Sequence, residues 1–181
     1  MEKQEIAIDN FDAVGLILDI GAGGEGVIGQ LKGKQVVAID PNKKELEDAA
    51  EGPLKIVMDA SDLLFLDDTF HIVTSFFTLM YIKDSQHDKV FEEAFRILVS
   101  GGRFILWDLD LPQCLDESKE IVAVYLNIKL PEKEIMTGYG TRWPNQEQGL
   151  PYYKNVAEKV GFVATDQKVN GRVFQLELKK P

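Results

Sequence analysis

The chain has 181 residues, 45% of them hydrophobic, with a formal net charge of -10 at pH 7, enough to bury one good core but short for two domains. The acidic balance and the lack of a Lys/Arg cluster argue against DNA, RNA or an anionic membrane surface as partner, because phosphate binding depends on clustered cations. A lone cysteine, Cys114, excludes a disulfide framework and a cysteine-based zinc site; no apolar run approaches the ~20 residues that span a bilayer, and no signal-like N-terminus is present, so a cytoplasmic protein forming one domain over residues 1–181 is expected.

In chain order, the apolar run "GLILDI" predicts a first strand ending at Ile20, followed by "GAGGEG" and a helix. "QVVAID" predicts the second strand, ending at Asp40. A helix follows, capped by Asn42 with Glu45 three residues on and stopped at Gly52-Pro53. "LKIVMD" and "HIVTSFF" predict the third and fourth strands. The next helix, capped by Ser85 with Asp88, sets Phe91, Ala94, Phe95 and Leu98 on one face and stops at Gly101-Gly102, before the fifth strand "GRFILWD". Strand-length runs apolar on both faces, alternating with helices, predict an α/β fold with a doubly wound, mostly parallel sheet. Beyond it, "KEIVAVYLNIKL" and "KEIMTGYGTRW" flank Pro131-Glu132, a hairpin inserted over residues 111–150. "YYKNVAEKVGF" predicts a helix entered at Pro151 and closed at Gly161. The chain then ends in an antiparallel hairpin turning at Asn170-Gly171, a dipeptide suited to a type I′ turn.

Gly21, Gly23 and Gly26 spell G-x-G-x-x-G between a strand and a helix, which leaves open a nicotinamide dinucleotide, S-adenosylmethionine or no ligand at all. In an open α/β sheet this loop lies at the carboxyl edge, where ligands bind. A dinucleotide would present its pyrophosphate to the helix N-terminus. Asp19 and Glu25 oppose that anion: like charges ~4 Å apart cost about 1 kcal/mol in water and about 4 at an effective dielectric of 20. S-adenosylmethionine, with an ammonium and a sulfonium, suits the loop better. Asp40, about 20 residues past the glycines, suits ribose hydroxyls.

These features resemble the class I S-adenosylmethionine-dependent methyltransferases, over about residues 15–180. "LDIGAGG" is similar to the family's D-x-G-x-G motif through Asp19, Gly21 and Gly23, with Ala22 between them. "VVAID" places Asp40 at the ribose-binding acid, "VMDAS" places Asp59 and Ala60 at the adenine, and "FHIVTSFFTLMYI", containing Ser75, is similar to the fourth-strand motif. The helix, double glycine and fifth strand of "FRILVSGGRFILWD" and the closing hairpin match as well. The resemblance implies a Rossmann-like methyltransferase fold, S-adenosylmethionine as cofactor, and Asp19, Gly21, Ala22, Gly23, Asp40, Asp59, Ala60 and Ser75 as cofactor-binding residues. Glu25 stands where the family usually has its third glycine, and His71 where an acid is common.

No N-P-P-Y or D-P-P-Y follows the fourth strand, which argues against a nucleic-acid base as acceptor. A small-molecule acceptor is expected, with Tyr81, Asp108, Tyr139 and Arg142 as pocket candidates. Phe76, Phe77 and Trp107 read as core. No catalytic base is assigned, since in-line methyl transfer draws much of its acceleration from positioning, although Asp108 and Asp110 lie after the fifth strand. No spacing of His, Cys and acidic residues suggests a metal. The alternatives left open are a noncatalytic cofactor-binding or protein-interaction module of the same fold, and a homodimer whose second subunit completes the pocket.

Overall fold

A computed structural model describes residues 3–112, 120–144 and 146–181; Cys114 lies outside them. In chain order the elements are β1 (Lys3–Ala7), β2 (Ile17–Ile20), α1 (Val27–Lys32), β3 (Val36–Asp40), α2 (Lys43–Asp48), β4 (Leu54–Val57) and β5 (Phe70–Phe76). There follow α3 (Asp84–Ile97), β6 (Leu98–Leu109), β7 (Ile121–Leu130), β8 (Lys133–Arg142), α4 (Leu150–Val160), β9 (Val163–Asn170) and β10 (Val173–Lys179).

Seven strands form the main sheet in the order β4-β3-β2-β5-β6-β10-β9. The first five are parallel, and the final hairpin adds to β6 in antiparallel register. Side-chain alternation along the strands builds two cores, one on each face. Ile17, Val36 and Ala38 pack on one side with Val27 and Ile28 of α1 and Leu46 of α2. Leu18, Ile20, Val37 and Ile39 pack on the other with Val90, Phe91, Ala94 and Ile97 of α3 and Tyr153, Val156 and Ala157 of α4. Helices on both faces are the arrangement expected when parallel strands are apolar on both sides. The strand order reverses at β2, whose neighbours are β3 and β5, so a crevice opens at the carboxyl ends of β2 and β5.

A second sheet, in the order β1-β7-β8, covers part of one face of the first. β7 and β8 are the antiparallel hairpin expected within residues 111–150, with Leu130 opposite Lys133. β1 was not anticipated: "KQEIA" buries only Ile6, too little apolar signal for a strand, and its parallel pairing with β7 comes from over a hundred residues away. Val122, Val124, Leu126, Ile128 and Leu130 share the core that holds Phe76, Trp107 and Val173. At roughly 1.5–3 kcal/mol for each large side chain removed from water, this layer is part of the fold's stability.

Several boundaries differ from the expected ones. α3 starts at Asp84, because Lys83 is the extended residue before the helix, and Ser85 is its second residue rather than its cap; its backbone N–H bonds Asp84 Oδ1 at 2.9 Å. Asn42 does cap α2, accepting from Lys44 N at 3.1 Å. α2 nevertheless ends at Asp48, before Gly52-Pro53, and α3 ends at Ile97, so Gly101-Gly102 lies inside β6 where its register against β5 shifts. In the last hairpin Asn170 still pairs with Val173, and the two-residue loop is Gly171-Arg172. Only Gly171 has positive φ, 60°, which is the sign pattern of a type II′ turn rather than type I′.

Leu126 is 1% exposed, so Leu126→Ala should lower unfolding free energy by about 2–5 kcal/mol in a denaturant titration. A loss under about 1 kcal/mol would mean that the small sheet is an appendage on a self-sufficient main sheet.

Candidate functional site

The glycine loop leaves β2 at Gly21 and is tied to its neighbours: Ala22 N donates to Ile39 O of β3 at 2.9 Å, and Gly24 N to Glu45 O of α2 at 3.0 Å. At Gly23 a Cβ would lie 2.3 Å from Glu45 Cβ and 2.9 Å from Asp40 Oδ2, so no other residue fits without moving α2 or Asp40. Thr78, just past β5, braces the loop by donating its hydroxyl to Ile20 O at 3.2 Å. Gly24 and Gly26, both at left-handed φ, flank Glu25 and turn it toward the small sheet, where Thr137 Oγ1 and, at 3.2 Å, Tyr139 Oη donate to its carboxylate. The acid in the family's third-glycine position is therefore held by hydroxyls of β8.

Around this loop lies a cavity of about 740 Å³ whose wall includes Asp19, Gly21, Ala22, Gly23, Asp40, Asp59 and Ala60. Seven of the eight residues expected to hold the cofactor thus converge from the ends of β2, β3 and β4. The eighth, Ser75, does not: it is fully buried within β5 between Ile20 and Leu106, and its hydroxyl has no hydrogen-bond partner among the described residues. Asp40 Oδ1 accepts from Asn42 N at 2.8 Å, which shapes the entry to α2. Asp59 Oδ1 accepts from Ser61 N and Oγ at 2.8 and 2.7 Å.

Asp19 is 2% exposed and accepts from Thr74 Oγ1 at 2.7 Å. Burial, only partly offset by that bond, pushes its carboxyl up to about 7. Asp108 is likewise pushed up to about 7 by burial, but it lines neither cavity. Its carboxylate accepts from Leu109 N at 2.8 Å and Met80 N at 3.2 Å, fastening the short helical turn Leu79–Tyr81 to the end of β6. His87 holds the same turn from the other side. Its Nε2 must donate to Leu79 O at 3.0 Å, leaving Nδ1 to accept from Tyr152 Oη at 3.0 Å, and burial lowers its pKa. Asp110 also stands outside both cavities.

The aromatic wall was the part least expected. Phe76 and Phe77, read as core, both line the cavity. Phe77 has φ 50°, a left-handed conformation that costs a bulky residue on the order of 1–3 kcal/mol. Its N–H is held by Trp107 O at 2.8 Å, and its ring stacks on Tyr139 with centroids 4.8 Å apart and planes 9° from parallel. Trp107 itself is core. Tyr81 lines the cavity from the fourth-strand side and its hydroxyl accepts from Gly140 N at 3.2 Å. Arg142 does not reach this cavity. It lines a smaller one of about 330 Å³ that shares Tyr81, Ile82 and Lys83 with the first. Sequence reasoning missed Glu45, Met58, Lys83 and Gln86, which also line the large cavity; only Glu45, three residues past a helix cap, stood out, and it was read as part of the cap. Among the described residues no three His, Cys, Asp or Glu side chains converge as metal ligands, and no helix is long and apolar enough to cross a membrane.

Residues 18–106 match the methyltransferase domain family. The whole fold is similar to that of a Pyrococcus horikoshii protein, at 20% identity and a TM-score of 0.68 over 92% of this chain and 83% of that one. It is also similar to an S-adenosylmethionine-dependent methyltransferase from Methanosarcina mazei, at 17% identity and 0.67 over 94% of each. Phosphoethanolamine N-methyltransferase 2 from Haemonchus contortus, solved with S-adenosylmethionine, gives 16% identity and 0.66, over 94% of this chain and 50% of that one. No curated protein matches the chain in sequence. The domain match and the shared fold support a class I S-adenosylmethionine-dependent methyltransferase with S-adenosylmethionine as cofactor. The cavity fits that group: a loop without side chains at Gly21 and Gly23, an acid at the end of each of β2 and β3, and a third just past β4.

Two tests follow from this geometry. Asp40→Asn keeps an oxygen for Asn42 N but removes the charge and the second acceptor, so S-adenosylmethionine affinity measured by calorimetry should fall about 10- to 150-fold, with melting temperature nearly unchanged. Asp19 supplies the second. In the free protein the folded state keeps on Asp19 a proton that the unfolded chain releases near pH 4, so its contribution to stability is greatest below that pH and declines as pH rises to about 7. A cation beside it favours the ionised form. Cofactor affinity should therefore rise between pH 5 and 7 and fall again above about 8, where an α-amino group loses its proton. Asp19→Asn should abolish the acid limb; an unchanged limb would remove Asp19 from cation binding.

Proposed function

We propose that this protein, as one methyltransferase domain, transfers the methyl group of S-adenosylmethionine to a small-molecule acceptor. The observation that carries the reading is the placing of β8 across the carboxyl edge of the main sheet. Tyr139 on Phe77 and Glu25, Gly140 on Tyr81, and Thr141 Oγ1 on Met80 O at 3.0 Å join the two sheets at the cavity wall. The space left, about 740 Å³, is within the range of about 300–1,000 Å³ typical of small-molecule sites.

When bound, the cofactor supplies a methyl on a sulfonium: the acceptor's lone pair forms the new bond to carbon, the carbon–sulfur pair returns to sulfur, and any proton on the acceptor atom passes to water. The residues of this chain bind and align. Asp40 and Asp59 hold the polar hydroxyl and amine groups, Asp19 faces the cationic end, and the rings of Phe77, Tyr139 and Tyr81 exclude water from the side where the acceptor enters. Restraining donor and acceptor this way can supply about 7–11 kcal/mol of the barrier without a general base.

A noncatalytic cofactor-binding module is the second reading, favoured by one observation: Asp108, the acid placed nearest the acceptor side by sequence, spends both oxygens on backbone N–H groups. Incubation with methyl-labelled cofactor and a small-molecule extract distinguishes the two. Transfer of label to a low-molecular-weight product, suppressed by excess S-adenosylhomocysteine and weakened at least tenfold in Asp40→Asn, is expected. Binding without transfer in any fraction would favour the module.

A further inference from the structure

The smaller cavity, about 330 Å³, is lined by Met80, Tyr81, Ile82, Lys83 and Asp84 on one side and Thr141, Arg142, Trp143, Pro144 and Gln148 on the other. It adjoins the cofactor cavity through Tyr81, Ile82 and Lys83, and its chemistry is the reverse. The large cavity carries five carboxylates, Asp19, Glu25, Asp40, Glu45 and Asp59, against one cation, Lys83. The small one carries Lys83 and Arg142 against Asp84, in a chain whose net charge is -10. Neither Lys83 nor Arg142 forms an ion pair among the described residues. The one carboxylate there among the described residues, Asp84, already accepts from Ser85 N at 2.9 Å with Oδ1. Trp143 adds a buried indole N–H without an acceptor among the described residues, and the Arg172 guanidinium lies 5.9 Å from its ring centroid.

We infer that this cavity binds the carboxylate of the methyl acceptor, which makes the acceptor a small carboxylic acid whose nucleophilic atom reaches past Tyr81 into the cofactor cavity. The inference rests on the methyltransferase reading above. Among the described residues the exposed Arg142 fork and Lys83 ammonium make no ion pair and the buried Trp143 indole N–H has no acceptor, and a carboxylate supplies planar oxygens that match the fork. Among the described residues the local side-chain charge, two cations against one acid, balances a monoanion and leaves a phosphate dianion short of a partner. Tyr81 and Trp143 add apolar surface with polar tips beside the charged group. The pocket is also held in shape: Tyr81 is fixed to Gly140 N and Thr141 to Met80 O, so β8 cannot separate from the turn without breaking both bonds.

The test uses the full chain saturated with S-adenosylhomocysteine and follows the indole N–H resonance of Trp143, identified by its loss in Trp143→Phe. Acetate, benzoate and 3-phenylpropionate are titrated against their neutral amides. At least one acid should bind ten times more tightly than its amide. Arg142→Ala and Lys83→Met should each weaken that acid about tenfold, Arg142→Lys should recover only part of the loss, and Arg142→Ala should leave S-adenosylhomocysteine affinity within twofold by calorimetry. Equal binding of every acid and its amide, or acid binding indifferent to Arg142→Ala, would overturn the inference, as would phenyl phosphate binding more tightly than benzoate. Failure of the methyltransferase reading has a different signature, since methyl-labelled cofactor would then give no labelled product whatever the acids do.

Discussion

The tight approach of the backbone at Gly23 to Asp40 and Glu45 sets the terms for everything around it. With 2.3 Å between an imagined Cβ and Glu45 Cβ, the loop after β2 can rest on the start of α2 only as bare backbone. That contact brings the ends of β2 and β3 together, and with them Asp19 and Asp40, at the point where the strand order reverses. Parallel strands fed by helices must put their carboxyl ends on one edge. The consequence for charge is severe: five carboxylates share one cavity wall with a single lysine. A ligand bearing positive charge and hydrogen-bond donors relieves that excess, whereas a pyrophosphate would add to it.

The opposite wall solves a different problem. β5 ends in Phe76 and Phe77, large apolar rings at an edge that would otherwise meet water, and β8 covers them with Tyr139. The contact holds Phe77 in a conformation it would not adopt alone, and the hydrogen bond from Phe77 N to Trp107 O completes the restraint. Asp108 and His87 then grip the turn that carries Tyr81 from opposite sides. Both are buried, with Asp108 pushed up to about 7 and His87 held below its usual value, so burial shifts both toward their uncharged forms. Their work is to position Tyr81, and no proton need reach the reacting atoms through either.

Much of the cofactor side was legible because each of its acids ends a strongly apolar run. An apolar strand of a parallel sheet has a fixed direction, so Asp19, Asp40 and Asp59 could be placed at one edge without knowledge of any contact. Ser75, one level nearer the sheet edge than Asp19, fails the same reasoning because alternation and the neighbours Ile20 and Leu106 decide its surroundings. Asp108 fails because strand alternation sets it on the face opposite Trp107, and Trp107 packs on the face that the small sheet covers. The turn at Gly171-Arg172 differs from the expected one by a single residue and the start of α3 by two, a scale set by local pairing rather than by composition.

The acceptor side was written less plainly, because it arises where β8 meets the turn after β5, between residues about sixty positions apart. Tyr139 and Arg142 stand three residues apart on β8, and in an extended strand an odd spacing points two side chains to opposite faces. One therefore closes the cofactor cavity while the other lines its neighbour. A single strand divides the two environments, apolar and acidic on one side, cationic on the other, with Tyr81 and Lys83 at the passage between them. A molecule spanning that passage meets opposite electrostatic demands at its two ends. Lys83 contributes to both walls. Its ammonium stands between five carboxylates on one wall and Arg142 on the other, which makes it the residue through which the two environments meet.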